Sequence, residues 1–365
     1  MGGRFLERIG RAAERAREEG LAAILVAPSP DYRYLTGYEP PPLERLTLLV
    51  VRAEADPVLL VPALEAPLAR ASPVGEGVEI VTWLDGEDPY AAAARLLPRE
   101  GTVAVGDRTW AAHLLGLQAR MPGARFVRAS PILAPLRAVK DPDELELLER
   151  AARGADEAFR RLVAGRLEGR SEEDVAGQLA DLLLEVGHGS VAFTIVASGP
   201  NGASPHHEPG GRVIRAGDAV VLDFGGRVEG YCSDLTRTVA VGAPPTGFPE
   251  VYEVVREAQE AAFRAVRPGV PAEEVDAAAR RVIEDAGYGD RFIHRTGHGI
   301  GLEEHEEPYI VAANAEPLRV GHCFSIEPGI YLPGEFGVRI EDIVAVTPEG
   351  ARRLNHAPRE LLTVA

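Results

Sequence analysis

Two aspartates with hairpin spacing are the first residues in the sequence that could hold a metal ion. Asp223 ends a short apolar run, and Asp234 lies in a returning run rich in aromatic and β-branched residues. If the turn is centred between Val228 and Glu229, the two carboxylates face each other, with Cβ atoms about 4.5–5.5 Å apart. Carboxylates this close repel, and a pair of divalent cations roughly 3.5–4 Å apart removes the repulsion. The simpler alternative is that both aspartates are turn or capping residues.

A second pair of acids repeats this arrangement further along the chain. A turn centred on Gly334 places Glu327 opposite Glu341. Four converging carboxylates cannot all stay ionised without cations, and oxygen-rich ligation suits Mn²⁺ or a similar ion. Between the two hairpins, His298 lies in a glycine-spaced loop over 296–306, where the glycines allow close backbone approach. Beside four acids, we expect its imidazole to supply a nitrogen ligand to one metal ion.

An internal repeat supports the convergence of these acids. The motif Gly-x-x-x-Glu-x-Val begins at Gly169 and again at Gly269, and the same offset joins Gly187 to Gly287. The other elements keep their order in both copies: a helix before the motif (144–167 and 251–266) and a hairpin after it (219–241 and 322–346). The repeat therefore predicts an α+β domain with pseudo-two-fold symmetry and a site where its halves meet.

The first third of the chain predicts a separate domain. A charged amphipathic helix over 4–19 and an apolar strand over 21–27 are followed by alternating strands and helices, a pattern typical of a compact α/β domain. The segment from 131 to 141 carries two prolines and is interpreted as a linker, after which Asp141 opens a helix through a capping box. We predict an α/β domain over 1–132, a linker over 133–141 and a second domain over 142–365.

Composition opposes several classes of function. The 365 residues carry a formal net charge of -17, whereas a nucleic-acid-binding surface needs a basic patch. Cys232 and Cys323 are the only cysteines, so no disulfide framework is expected, which fits a reducing cytoplasm. No apolar run reaches the roughly 18 residues needed to span a membrane. We therefore expect a cytoplasmic protein that binds neither nucleic acid nor membranes.

Together, the motifs resemble those of the pita-bread metallopeptidases, in the Xaa-Pro branch formed by prolidases (Xaa-Pro dipeptidases) and aminopeptidase P. They are Leu-Asp-Phe-Gly-Gly (222–226), Ser-Asp-Leu-Thr-Arg-Thr (233–238), Gly-His-Gly-Ile-Gly-Leu-Glu-Glu-His-Glu (297–306), Glu-Pro-Gly-Ile-Tyr (327–331) and Val-Arg-Ile-Glu-Asp (338–342). Tyr-Leu-Thr-Gly at 34–37 resembles the creatinase-type N-terminal domain. The resemblance implies an α/β creatinase-like N-terminal domain followed by an α+β pita-bread catalytic domain with the internal repeat.

The resemblance also implies the metal ligands. Two divalent ions per chain, Mn²⁺ or Co²⁺ by expectation and Zn²⁺ as an alternative, would be held by Asp223, Asp234, His298, Glu327 and Glu341. Asp234 and Glu341 would bridge both ions. A metal-bridging hydroxide is the implied nucleophile, and Glu327 is the implied general base and then acid.

Other candidates surround these ligands. By resemblance, His206 lies near the scissile bond, His305 stabilises the tetrahedral intermediate, and Arg339 orients the substrate or the site. His207 and His294 are weaker candidates for substrate contact, because either could instead satisfy local hydrogen bonds.

The implied reaction is hydrolysis of the Xaa-Pro bond in proline-containing dipeptides. Removal of an N-terminal residue before proline from longer peptides is the alternative, and the modest chain length favours the dipeptidase. Such bonds need a dedicated enzyme because proline donates no N–H and its amide has a significant cis population. The N-terminal domain argues against a methionine aminopeptidase, and in the Xaa-Pro branch it also helps to form a homodimer.

Two further hypotheses remain open at this point. One is a metal-free hydrolase of the creatinase type, and the other is a non-catalytic pita-bread protein that binds nucleic acid or protein. Both require substituted ligand positions, and no ligand position is substituted here. The binding protein would usually carry basic extensions, whereas this chain is acidic.

Overall fold

A six-stranded mixed sheet forms the centre of the first unit of the chain. The computed structural model describes residues 2–365, which divide into one unit ending at Arg137 and a second over Ala138–Ala365. The first unit contains α1 (Gly3–Glu18), β1 (Leu21–Val26), α2 (Pro30–Thr36), β2 (Leu48–Arg52), β3 (Val58–Pro62), α3 (Ala66–Ala71), β4 (Glu79–Trp83), α4 (Pro89–Ala94), β5 (Gly101–Val105), α5 (Ala111–Arg120), β6 (Ala124–Arg128) and α6 (Ser130–Ala138). The strand order is β4-β3-β2-β1-β5-β6, with β2 antiparallel to both of its neighbours. This is the predicted α/β architecture.

Local signals explain the helices that begin and end this unit. Helix α1 buries Phe5, Ile9, Ala12 and Ala16, which recur with helical spacing, so one apolar stripe packs inward. Residues 28–37, whose two prolines and terminal glycine predict a turn-rich segment, instead contain helix α2. Ser29 caps it by accepting a hydrogen bond from a backbone N–H, proline occupies its first position, and the left-handed Gly37 ends it.

The segment predicted as a linker is largely helical. Helix α6 runs through most of 133–141 and ends at Ala138. Pro131 does not oppose this helix, because it occupies the second position, where a backbone N–H would have no intrahelical acceptor. Pro135 lies inside the helix, where sequence patterns predict a break. Asp141 then opens the next helix with the predicted capping box.

The second unit has two five-stranded sheets, one two-stranded sheet and four main helices. In chain order its elements are α7 (Pro142–Val163), α8 (Glu172–Glu185), β7 (Ser190–Ser198), β8 (Ala219–Val228), β9 (Tyr231–Cys232), β10 (Leu235–Val241), α9 (Phe248–Ala265), α10 (Ala272–Asp285), β11 (Gly297–Gly299), β12 (Glu306–Ile310), β13 (Cys323–Ile326), β14 (Gly329–Leu332), β15 (Phe336–Arg339), β16 (Asp342–Thr347), β17 (Gly350–Arg353) and β18 (Leu362–Val364). One five-stranded sheet has the order β18-β10-β8-β7, with β9 paired to β8, and the other has the order β12-β11-β13-β16-β17. Strands β14 and β15 form the two-stranded sheet.

The internal repeat appears as two equivalent halves, each with its own apolar core. Helices α8 and α10 start and end at the same offset, and each follows an isolated bridge, Ser171 to Val213 or Pro271 to Pro317. The bridged partners are four residues further apart in the second half, which indicates a longer connection there. Helices α7 and α8 pack together in one half, and α9 and α10 pack together in the other. The predicted order of helix, helix and hairpin is thereby confirmed.

The two hairpins differ in how well their registers were predicted. Residues Ile326 and Gly329 pair with Asp342 and Arg339, so Glu327 lies opposite Glu341, as a turn centred on Gly334 requires. The first register was wrong: Asp223 faces Thr236 rather than Asp234. The turn is formed one residue later than predicted, by Glu229 and Gly230, which both have positive φ.

Candidate metal centre

Three predicted ligands from different elements converge in the second unit. Ligand atoms of Asp234, His298 and Glu341 all lie within 4.8 Å of one another, and all three residues are buried. Asp234 lies in the link between β9 and β10, His298 on β11, and Glu341 in the link between β15 and β16. Strand β11 pairs with β13, which in turn pairs with β16, so the backbone brings the second-half ligands together.

Glu327 joins this cluster through His298. The imidazole Nε2 lies 3.1 Å from Glu327 Oε1 and 3.7 Å from Asp234 Oδ2. His298 Nδ1 lies 3.2 Å from the Gly299 carbonyl oxygen and donates to it, so Nε2 is the nitrogen that faces the acids and would ligate a metal ion. The Ser325 hydroxyl accepts from His298 N at 3.0 Å and donates to Glu327 Oε1 at 3.1 Å, which links the two ligands a second time.

A glycine makes this close approach possible. A Cβ atom on Gly297 would lie 1.8 Å from the carbonyl oxygen of Ser325. Only glycine therefore allows β11 to lie flat against β13 and carry His298 to the acids.

Asp223 is held by the guanidinium of Arg339. Arg339 Nη2 donates to Asp223 Oδ2, Nε donates to Thr236 Oγ1 at 3.3 Å, and Nη1 donates to Tyr331 OH at 2.9 Å. The Thr236 hydroxyl in turn donates to Glu341 Oε2 at 2.6 Å. The buried guanidinium of Arg339 thus connects acids from both halves. Its planar group of N–H donors can bind several acceptors at once.

The donor set fits divalent cations. One oxygen of each of three buried carboxylates, Asp223 Oδ1, Asp234 Oδ1 and Glu341 Oε1, has no hydrogen-bond partner among residues 2–365, whereas the other oxygen is hydrogen-bonded in Asp223 and Glu341 and lies 3.7 Å from His298 in Asp234. Unpaired buried carboxylate oxygens are costly, and a metal ion is the usual partner for such a group. Three carboxylates and one imidazole suit Mn²⁺, Co²⁺ or Zn²⁺.

Electrostatics leads to the same conclusion. Burial, and then repulsion from neighbouring carboxylates, raises the pKa of Asp234 and of Glu341 well above the ordinary range. Burial also acts to raise the pKa of Glu327, but its hydrogen bond to His298 and the charge of that imidazole outweigh burial and lower this pKa to about 2. The acids are therefore arranged at a cost that a cation removes.

Two candidate histidines lie beside the ligands. The rings of His305 and His298 are 4.0 Å apart between centroids. Partial burial, and then the charges of His298 and Arg295, lower the pKa of His305 to about 4, so that it is neutral at pH 7. His206 is exposed, and its charge also acts to lower the pKa of His305, which places it in the same neighbourhood.

The other two histidines are engaged elsewhere. His207 Nε2 lies 2.8 Å from Oε2 of the buried Glu172, which also accepts bonds from Ser198 and Asn201. His294 Nδ1 lies 2.7 Å from the Arg295 carbonyl oxygen, and Nε2 lies 2.8 Å from Tyr331 OH. Both histidines therefore have protein partners in the described structure.

Three site residues were missed from sequence: Thr236, Ser325 and Tyr331. Thr236 lies in the motif Ser-Asp-Leu-Thr-Arg-Thr and Tyr331 in Glu-Pro-Gly-Ile-Tyr. Their closeness in sequence to predicted ligands was the signal that could have identified them as site residues. Burial raises the pKa of Tyr331 to about 12, and its hydroxyl, which accepts from Arg339, donates to His294 Nε2. Burial also lowers the pKa of His294, consistent with a neutral ring that accepts this bond.

Comparison with known proteins agrees with this geometry. Residues 8–139 match the creatinase/prolidase N-terminal domain, and residues 146–348 match metallopeptidase family M24. The probable dipeptidase PepE of Mycobacterium tuberculosis is 44% identical over 363 residues, covering 99% of this chain and 96% of that protein. The Xaa-Pro dipeptidase of Lactobacillus delbrueckii is 39% identical, covering 94% and 95%.

Solved structures agree as well. The crystal structure of a prolidase from Thermococcus sibiricus superposes with a TM-score of 0.92 at 42% identity and covers 98% of each chain. Among residues 2–365, no helix has the length and apolar character needed to cross a membrane. The chain therefore belongs to metallopeptidase family M24 and, with its creatinase/prolidase N-terminal domain before a pita-bread catalytic domain, to the Xaa-Pro peptidase branch of metal-dependent hydrolases.

Proposed function

We propose that this protein is an Xaa-Pro dipeptidase in which Asp223, Asp234, His298, Glu327 and Glu341 hold two divalent metal ions. The observation that carries the proposal is the cluster of Asp234, His298 and Glu341, whose ligand atoms lie within 4.8 Å of one another, together with the unpaired oxygens of three buried carboxylates. Relatives named as dipeptidases or Xaa-Pro dipeptidases, which match over nearly the whole chain, support the substrate class.

The bound metals would supply Lewis-acid activation of water and of the scissile carbonyl at neutral pH. Glu327 is placed to move the proton, because its Oε1 lies 3.1 Å from His298 Nε2 at the edge of the cluster. It would accept a proton from the attacking water and pass it to the proline nitrogen of the leaving group. That nitrogen carries no proton in the substrate, so it must receive one before it departs.

His305 and His206 would bind the substrate. His305 lies against His298 and is neutral at pH 7, so a ring N–H can donate to the oxygen on which negative charge develops. His206 is exposed in the same neighbourhood and would contact the peptide near the scissile bond. Arg339 would act through Asp223, which it holds in position, and His294 would act through Tyr331.

The adjacent histidines 206 and 207 are expected to respond differently to substitution. His206→Ala should leave stability nearly unchanged and lower kcat/KM by about 100-fold, as loss of a transition-state donor does. His207→Ala should lower the free energy of unfolding by about 1–3 kcal/mol, because Glu172 loses a buried partner. Its kcat/KM should stay within about three-fold of wild type, because the ring faces Glu172 rather than the cluster. Steady-state kinetics and urea unfolding of both variants would show this pattern, and the reverse pattern would exchange their roles.

Hydrolysis after metal loading tests the proposal. The protein, stripped with chelator and loaded with Mn²⁺ or Co²⁺, is expected to cleave Ala-Pro and to leave Ala-Pro-Ala intact, with Asp223→Ala as an inactive control. Preference for the tripeptide would replace the dipeptidase by an aminopeptidase P. If neither peptide is hydrolysed although two metal ions are bound per chain, the peptidase proposal is rejected and a binding protein is favoured.

The finer expectations accompany this proposal. We propose domain boundaries of 1–132 and 142–365, a homodimer, a cytoplasmic location and Mn²⁺ or Co²⁺ as the resident metal. Light scattering of the metal-loaded protein would give the oligomeric state, and metal analysis of protein purified without added metal would identify the ion.

A further inference from the structure

The only lysine of the chain, Lys140, is buried in an ion pair with Glu306. Its Nζ donates to Glu306 Oε1 at 2.7 Å and to the Ala138 carbonyl oxygen at 3.3 Å. The two side chains are 1% and 7% exposed. A buried ion pair usually adds little net stability, because the cost of desolvating both charges offsets their attraction. A role in fixing one arrangement of the chain explains such a pair better than stability does.

The pair lies directly behind a candidate catalytic histidine. Glu306 is the first residue of β12 and follows His305, whose ring contacts the ligand His298. The Glu306 carboxylate packs against Gly301, where a Cβ atom would lie 2.6 Å from Oε1. The carbonyl oxygen of Gly301 accepts from the backbone N–H of Cys232 at 2.8 Å. The loop over 301–306 is therefore held at both ends, and Glu306 is its second anchor.

Lys140 is itself tied by its backbone to the turn that precedes β13, and this turn bonds to β16. Its backbone N–H donates to the Gly321 carbonyl oxygen at 2.9 Å, and Val139 forms an antiparallel bridge with His322. The Gly321 N–H donates to Val346 at 3.0 Å, which ties this point to β16. Strand β16 directly follows the ligand Glu341. Lys140 therefore connects Glu306 to the strand that follows the ligand Glu341.

We propose that Lys140 and Glu306 are positioning residues that hold His305 against His298, so that the histidine reaches the substrate carbonyl. The proposal rests on the proposed function in that His305 acts on a substrate. Neither residue of the pair is assigned a chemical step. Their effect on catalysis must therefore pass through His305.

The proposal is tested by comparing the kinetic effects of Lys140 and Glu306 substitutions in wild type and in His305→Ala. Lys140→Met, Glu306→Gln and the uncharged pair Lys140→Met/Glu306→Gln are made in wild type and in His305→Ala. In wild type each should lower kcat by about 10-fold, with KM within about three-fold, as loss of a placed donor does. In His305→Ala they should cost less than about two-fold more. Equal losses in both backgrounds, or no loss in either, would overturn the proposal. The double variant leaves neither charge of this pair buried without its partner. It therefore keeps the test available where a single variant does not fold.

A crystal structure of the metal-loaded double variant gives a readout that does not depend on activity. The His305 ring is expected to move away from its 4.0 Å centroid separation from His298, while the metal content equals that of wild type. An unmoved ring would overturn the positioning role. If wild type cleaves no Xaa-Pro peptide, the proposed function fails, yet the ring position still decides whether Lys140 and Glu306 place His305.

Discussion

Replacing Asp234 with asparagine is expected to abolish hydrolysis while making the metal-free protein more stable. Asp234 is buried beside Glu341 and Asp223, and burial and repulsion together raise its pKa. The uncharged amide removes that repulsion at nearly the same volume, so the free energy of unfolding in excess chelator should rise. The same change deletes a metal ligand, and kcat/KM should fall by at least about 1,000-fold. Urea unfolding in chelator and peptide hydrolysis after metal loading measure the two effects.

The pH dependence of the metal-free protein follows from the same shift. An acid whose folded pKa is raised binds more protons in the folded state than in the unfolded state, so the free energy of unfolding falls as pH rises. For Asp234 the fall begins near the unfolded pKa of about 3.9 and continues until the raised folded pKa is passed. The contribution of Asp234 to stability should therefore fall as pH rises above about 4, measured as the difference in urea unfolding between wild type and Asp234→Asn in chelator. Asp234→Asn should lose less stability than wild type, and loading with metal should remove the loss.

A matched acid in the same half supplies the control. Asp218 is paired with Arg212 at 2.8 Å, so Asp218→Asn should lower the free energy of unfolding in chelator. If Asp234→Asn also destabilises the metal-free protein, its carboxylate is stabilised by a protein partner rather than arranged for a cation. The explanation of the unpaired oxygens as metal-facing atoms would then be wrong.

The predicted register was wrong by an even number of residues, which explains why the acids were still assigned to the correct face of the sheet. Placing the first turn one residue early shifted the predicted pairing by two, so Thr236 rather than Asp234 faces Asp223. A shift of two keeps every side chain on its face of the sheet, whereas a shift of one would have separated the acids. The second turn was located correctly, because a Pro-Gly turn at Gly334 fixes the centre of its hairpin.

The hydrogen-bond partners of the histidines depend on contacts between residues far apart in the chain, which sequence patterns do not indicate. His206 and His207 are adjacent, and the pairing of His207 with Glu172, which is 35 residues upstream, leaves no signal in the sequence. The bond from Tyr331 to His294 spans 37 residues and leaves no periodic signal in the chain. Local sequence signals also did not indicate helix α6. Pro131 costs little at its second position, whereas Pro135 lies in its interior, where a proline pattern predicts a break.

Removing the guanidinium of Arg339 should be the most damaging change outside the metal ligands. Its three contacts with Asp223, Thr236 and Tyr331 hold one ligand directly and a second, Glu341, through the threonine hydroxyl. Arg339→Met would leave Asp223 without its cation inside an acidic cluster, so the free energy of unfolding should fall by about 3–5 kcal/mol. We expect kcat/KM to fall about 100-fold or more, as when a preorganised charge is lost. Kinetics, metal content and urea unfolding would be compared with wild type.

Two companion variants separate charge from geometry at this position. Arg339→Lys keeps a positive charge but cannot present donors to three acceptors at once, so it should recover part of the stability and little of the activity. Tyr331→Phe removes only the hydroxyl that receives Arg339 Nη1 and donates to His294, and should cost about 1 kcal/mol of stability and roughly 10-fold in kcat/KM. Full activity in Arg339→Lys would mean that charge alone suffices. In that case the planar contact from Arg339 to Asp223 and Thr236 would not be what aligns the two halves of the metal centre.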